Sequence, residues 1–77
     1  MSKIHYGTTW SNIDVTEVAK NNCVTSGILT IPEDDRARAN IFGDPLPGIV
    51  KSIFITLENE EPVEYDEHTF IEIEDFE

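Results

Sequence analysis

The longest apolar run of the chain, Ile49 to Leu57 in the stretch FGDPLPGIVKSIFITL, follows directly on a proline–glycine corner. Pro45 and Pro47 fix their own φ near about −65° and hold Asp44 and Leu46 extended, while Gly48 is free to take the positive φ that a type II turn requires after proline. Beyond the corner, Ile49, Ile53, Ile55 and Leu57 share one face and Val50 and Phe54 the other. Apolar residues on both faces predict a strand covered on both sides, the central strand of a sheet. Lys51 and Ser52 interrupt the two faces early, marking the expected wetter end of that strand.

The same pattern predicts shorter elements on either side. Lys3 to Tyr6 alternates apolar and polar positions and stops at Gly7, as an opening strand does. Thr8 to Asn12 reads as a loop or the start of a second strand, with Trp10 in its middle as a core or lid aromatic, given the area tryptophan brings to a small core. In DVTEVAKNNC the Asp14/Glu17 spacing resembles a capping box, and Val15, Val18, Ala19 and Cys23 share a helical face, so a two-turn helix ending near Asn21 and Asn22 is expected. A strand through Ile13 and Val15 is the competing reading.

Gly27 introduces a strand at Ile28 to Ile31, closed by Pro32. In PEDDRARANIFG the terminal signals all fit a short helix: proline at its start, acids in the first turn, arginines in the second and glycine after it. Such a short helix needs tertiary support, expected from Ile41, Phe42 and Ala37 docking on the sheet. Arg36 and Arg38 read as a solvated ion-pair face with Asp34 and Asp35. After a turn at Glu58 to Pro62, odd positions Val63, Tyr65, Ile71 and Ile73 alternate with even positions Glu64, Asp66, His68, Glu72 and Glu74, joined there by Phe70. One strand or two separated at Asp66 and Glu67 would fit, paired antiparallel to the central strand across the short turn.

These elements predict an α+β fold: a small, mainly antiparallel sheet of four or five strands with one or two short helices on one face. Residues 1–77 are expected to form a single domain with an acidic strand region at 58–77. A chain of 77 residues buries a modest core, so stability of about 4 to 8 kcal/mol is expected.

Charge changes the picture most. The net charge is −11, and residues 1–57 hold six acidic against all five basic side chains, a net of −1, whereas 58–77 hold ten acidic and no basic ones. Such a field repels nucleic acid and anionic membrane and favours a basic protein partner. The single cysteine, Cys23, has no internal disulfide partner and the first residues carry no apolar leader, which together favour a cytoplasmic location. No apolar stretch is long enough to span a membrane.

Candidate chemistry is sparse. Carboxylates at alternate strand positions lie about 6.6 to 6.8 Å apart, too far to share a proton. His68 with Asp66 and Glu67, or His5, matches no metal-ligand spacing, and Cys23 lacks an activating base. No catalytic, metal or cofactor-binding residue is therefore assigned. The expected function is a non-enzymatic small acidic binding or adaptor module acting through protein–protein contacts, with Glu64, Asp66, His68, Glu72 and Glu74 as the partner-binding residues. Two alternatives are a carbohydrate-binding module that stacks sugars on Trp10, Tyr6 and Tyr65, and a nucleic-acid-mimicking inhibitor of a DNA-binding protein. A homodimer that buries leftover apolar surface is also expected.

Overall fold

A computed structural model describes residues 2–43 and 46–76. Within them the elements run β1 (Lys3–Gly7), β2 (Asn12–Asp14), α1 (Thr16–Cys23), β3 (Val24–Thr25), β4 (Ile28–Ile31), α2 (Asp35–Phe42), β5 (Ser52–Thr56), β6 (Val63–Tyr65) and β7 (Ile71–Ile73). The class is α+β with antiparallel sheets, as the pattern predicts. The described strands number seven rather than four or five, and they form two sheets, one of order β2-β1-β5-β6 and one of order β3-β4-β7.

The first sheet is built around β5. Ile53 and Ile55 lie opposite Tyr6 and Ile4 of β1, and the same two residues lie opposite Tyr65 and Val63 of β6. Facing residues of an antiparallel pair point to the same side, so Ile4, Tyr6, Ile53 and Ile55 make one continuous apolar surface. In the second sheet, Leu29 and Ile31 of β4 lie opposite Ile73 and Ile71 of β7. Val15 just before α1, Ala19 and Cys23 within it, and Phe42 of α2 join both sheets in one buried cluster. Each fully buried isoleucine or leucine there contributes roughly 2 kcal/mol of transfer free energy.

The local signals explain the ends of the elements. Ser26 and Gly27, both at positive φ (54° and 80°), make the two-residue connection between β3 and β4, the mirror-image turn whose twist suits a hairpin. The Asp34 carboxylate accepts from the Arg36 N–H at 3.2 Å and caps α2, which ends at Gly43 with φ 83°. Gly48 takes φ 80° after Pro47, and the Ile49 N–H donates to the Leu46 carbonyl at 3.1 Å, closing the predicted type II turn. The extended conformation expected at Asp44 and the fixed φ expected at Pro45 lie outside the described residues.

Several expectations are corrected. The central strand starts at Ser52, and Ile49 and Val50 are 51% and 66% exposed. The reason is the partner: β1 ends at Gly7, opposite Ser52, so residues before Ser52 have no neighbour to bond. Lys51 and Ser52 are buried, the reverse of a wetter end. The first helix starts at Thr16 with Val15 as its cap residue and no side-chain cap bond. Instead the Asp14 carboxylate accepts from the Thr16 N–H at 2.8 Å, and the Thr16 hydroxyl accepts from the Ile4 N–H at 2.9 Å, tying α1 to β1. Ile13 belongs to β2, so a strand and a helix divide the segment that the sequence reading gave to one or the other. Residues 63–73 form two strands in different sheets, with only β6 paired to β5 and β7 paired to β4.

Candidate protein-binding surface

The charged side chains sort themselves by burial. Of the five basic residues, Arg38 and Lys51 are 0% and 2% exposed. Arg38 is no part of a solvated ion-pair face: Nε donates to the Pro32 carbonyl at 2.7 Å, Nη1 to the Asp66 carbonyl at 3.1 Å and Nη2 to the Thr69 carbonyl. Three nitrogens thus serve three carbonyls in three directions, which the planar guanidinium fork does without rotating. Burial lowers the Arg38 pKa from its usual value, with Tyr6, Asp35 and Glu67 acting in the opposite direction. The bonds fasten the Asp66–Thr69 turn, closed by a Thr69 N–H to Asp66 carbonyl bond of 3.1 Å, against α2.

Lys51 plays a matching part for the other loop. Its Nζ donates to the carbonyls of Ile49 at 2.7 Å and Leu46 at 3.1 Å and lies 3.4 Å from the Asp35 carboxylate. Asp35 also accepts from the Tyr6 hydroxyl at 2.5 Å. One helix, α2, therefore braces two loops and the first strand through Asp35 and Arg38. A sequence reading has no means of seeing this, because the acceptors are backbone carbonyls, and those of Asp66 and Thr69 lie 28 and 31 residues from Arg38 along the chain.

The carboxylates stay in solvent. Glu64, Asp66, His68, Glu72 and Glu74 are all exposed, but they do not form one strip. Glu64 stands on β6, opposite Phe54, and accepts from the Ser52 hydroxyl at 2.7 Å. Asp66 and His68 belong to the turn that Arg38 holds, with His68 Nε2 3.3 Å from Glu67. Glu72 stands on β7, opposite Thr30, in the other sheet. Glu74 lines a cleft of about 480 Å³ together with Glu58, Glu60, Asp75, Leu57 and Lys20. With carboxylates outnumbering the one basic side chain there, that cleft repels anions.

The three aromatic residues assigned to sugar stacking are not gathered either. Trp10 is 94% exposed at the tip of the β1–β2 hairpin, so it is neither core nor lid. Tyr6 is fully buried, its ring 5.5 Å from that of Phe42, and offers no face to a ligand. Tyr65 is half-buried on β6. Val63, expected inward, is 48% exposed.

Other titratable groups serve local structure. The Thr16 side chain and backbone, by hydrogen bonding, hold the Asp14 carboxyl below its usual value, and His5 and Lys3 add smaller effects in the same direction. Burial pushes the Cys23 thiol up, which keeps it a protonated, weakly nucleophilic packing residue. Among the described residues no group of three or more His, Cys, Asp and Glu side chains could hold a metal ion, and no helix is long and apolar enough to cross a membrane. Comparison with known protein families, with curated proteins and with solved structures finds no match.

Proposed function

We propose that this chain is a non-enzymatic acidic binding module that holds a basic protein through carboxylates placed after Leu57. The observation that supports it is the separation of charge: the carboxylates of 58–76 lie mostly in solvent, while two of the five cations that could screen them are withdrawn into the interior. A surface so poor in cations attracts a positive patch over about a Debye length and speeds encounter more than it deepens affinity. The partner residues remain Glu64, Asp66, His68, Glu72 and Glu74, now as two groups rather than one row: Glu64 on β6 with Asp66 and His68 in the turn after it, and Glu72 on β7 with Glu74 just beyond it.

That division weakens the mimicry reading, since duplex DNA carries a charge per about 1.7 Å of axis, far denser than either group. Burial of Tyr6 leaves the sugar-stacking reading a single exposed ring. A reducing, cytoplasm-like compartment suits the lone cysteine. The test is a titration of the protein with a labelled arginine-rich protein domain at rising ionic strength. Kd should rise several-fold or more between about 0.05 and 0.5 M salt, and a variant carrying Glu64→Gln, Glu72→Gln and Glu74→Gln should bind more weakly at low salt. Affinity unmoved by salt and by these substitutions refutes the proposal.

A further inference from the structure

Three connections leave the four-stranded sheet at the same end. Gly7 lies opposite both Asn12 and Ser52, and Ile53 lies opposite Tyr65. The hairpin tip at 8–11, the loop at 46–51 and the turn at 66–69 therefore border one edge, which at about 4.8 Å between neighbouring strands is only about 15 Å across. These connections carry large apolar side chains into solvent: Trp10 at 94%, Val50 at 66% and Ile49 at 51% exposed, with Phe70 at 53% directly after the turn. A core this small leaves such area outside at a cost, and a group of exposed apolar residues rimmed by polar ones marks a contact site.

The backbone beneath them is braced. Lys51 holds the carbonyls of Leu46 and Ile49 from inside, and Arg38 holds those of Asp66 and Thr69. At the hairpin tip the Thr8 N–H donates to the Ser11 carbonyl at 2.8 Å and the Asn12 side chain donates to the Thr8 carbonyl at 2.8 Å. Loops fixed before binding lose little conformational freedom on binding, so more of the contact energy is realised as affinity.

Charge selects the occupant. Glu64, Asp66 and Glu67 stand beside this edge, where the cations Lys51 and Arg38 are buried beneath the loops and turned inward onto their carbonyls, whereas Lys3 is paired with Thr56 at the opposite end of the sheet and Lys20 lies beside Leu57 there. We infer that this end of the sheet is a preformed docking surface for a basic protein segment that seats an apolar side chain against Trp10 while its arginine or lysine residues meet the carboxylates of Glu64, Asp66 and Glu67. A second copy of the chain, at −11, would be repelled. This inference rests on the proposed function and adds the place and the apolar anchor.

Trp10 is the chain's one tryptophan, so its fluorescence reports the hairpin tip alone. The protein is titrated at low salt with a labelled peptide of alternating arginine and leucine and with an oligo-arginine of equal length. The expected result is a blue shift of Trp10 emission with the mixed peptide, tighter binding of that peptide than of oligo-arginine, and about tenfold or greater weakening in Trp10→Ala, the loss of a central aromatic anchor. Val50→Ser should weaken it several-fold. Because both residues are exposed, these variants are expected to keep the parent's circular dichroism.

Equal binding of the two peptides, with no blue shift and no effect of Trp10→Ala, overturns the docking surface while leaving charge-based binding in place. Binding that needs Trp10 but is unchanged when the titration is repeated at high salt overturns the acidic reading and the basic-segment occupant, leaving only the apolar contact at Trp10. Failure of both peptides to bind overturns both. A concentration-dependent blue shift of the protein alone assigns the edge to a second copy and overturns the basic-segment occupant.

Discussion

Removing the Arg38 guanidinium should come close to unfolding the protein. The side chain is fully buried and donates to the carbonyls of Pro32, Asp66 and Thr69. In Arg38→Ala those carbonyls lose a charged donor and the aliphatic stem leaves a void, a combination worth about 3 to 5 kcal/mol by analogy with broken buried ion pairs. The whole domain is worth about 4 to 8 kcal/mol at its length. With a urea m-value of about 1 kcal/mol/M for so short a chain, the midpoint should fall by about 3 M or more. Arg38→Met separates the two contributions, because it keeps most of the stem's packing and removes only the donors; about 2 to 3 kcal/mol should still be lost. Arg38→Lys retains a charge but cannot reach three divergent carbonyls with one ammonium, so it should fall between wild type and Arg38→Met. Far-UV circular dichroism is the proper probe, since the exposed Trp10 ring changes surroundings little on unfolding. Wild-type midpoints for both Arg38→Met and Arg38→Ala would refute the claim that this side chain holds the 66–69 turn.

Other perturbations separate local causes. Gly7 has φ 145° and an added Cβ would sit 2.4 Å from the Ser11 carbonyl oxygen, whereas Gly48, at φ 80°, has nothing within 4 Å. Gly7→Ala should therefore cost clearly more than the roughly 1 kcal/mol expected of Gly48→Ala, as read from urea midpoints of the two variants. Asp14 titrates below its ordinary value because of Thr16. A lowered carboxyl pKa stabilises the fold above the unfolded value and loses that contribution as pH falls through the folded one, so Asp14→Asn should show a shallower loss of stability below about pH 4 than wild type. Cys23 is 8% exposed with a raised pKa, so a disulfide-exchange reagent should label it slowly in the native protein and rapidly in urea; fast native labelling would contradict its burial.

The parts of this fold that depend on short-range pattern were legible in the chain. Alternation located β1, β4, the pairing core of β5, and β6, and Gly43 marked the end of α2, whereas Pro32, read as its first position, lies outside a helix that starts at Asp35 behind an Asp34 cap. What alternation lacks is any record of the partner strand. Odd positions from Val63 to Ile73 keep phase across the break, so two strands in two sheets look like one; the interruption comes from Arg38 claiming the carbonyls of Asp66 and Thr69. The apolar run through Ile49 and Val50 looks continuous with Ile53 for the same reason, yet the ladder can begin only where Gly7 ends. Trp10 misled through its size, since area predicts burial only if the chain can return to the core, and a hairpin tip cannot. The candidate site fared similarly. Exposure of the five acid-strip residues followed from alternation, but their division between sheets, and the part of Trp10, Ile49 and Val50, required the register.

The two buried cations connect the fold to its proposed use. Placing Arg38 and Lys51 inside costs desolvation, which their loop carbonyls and, for Lys51, Asp35 offset. Hydrophobic residues in their place could fill the volume but could not satisfy carbonyls from the chain segments around 46–49 and 66–69 at once. The same burial leaves the net charge at −11 but takes two cationic heads out of contact with solvent, so a basic partner meets exposed carboxylates with fewer cations among them. Holding two loops and clearing cations from the exterior are thus consequences of one arrangement, in which α2 supplies Arg38 and the Asp35 carboxylate that keeps Lys51 in place.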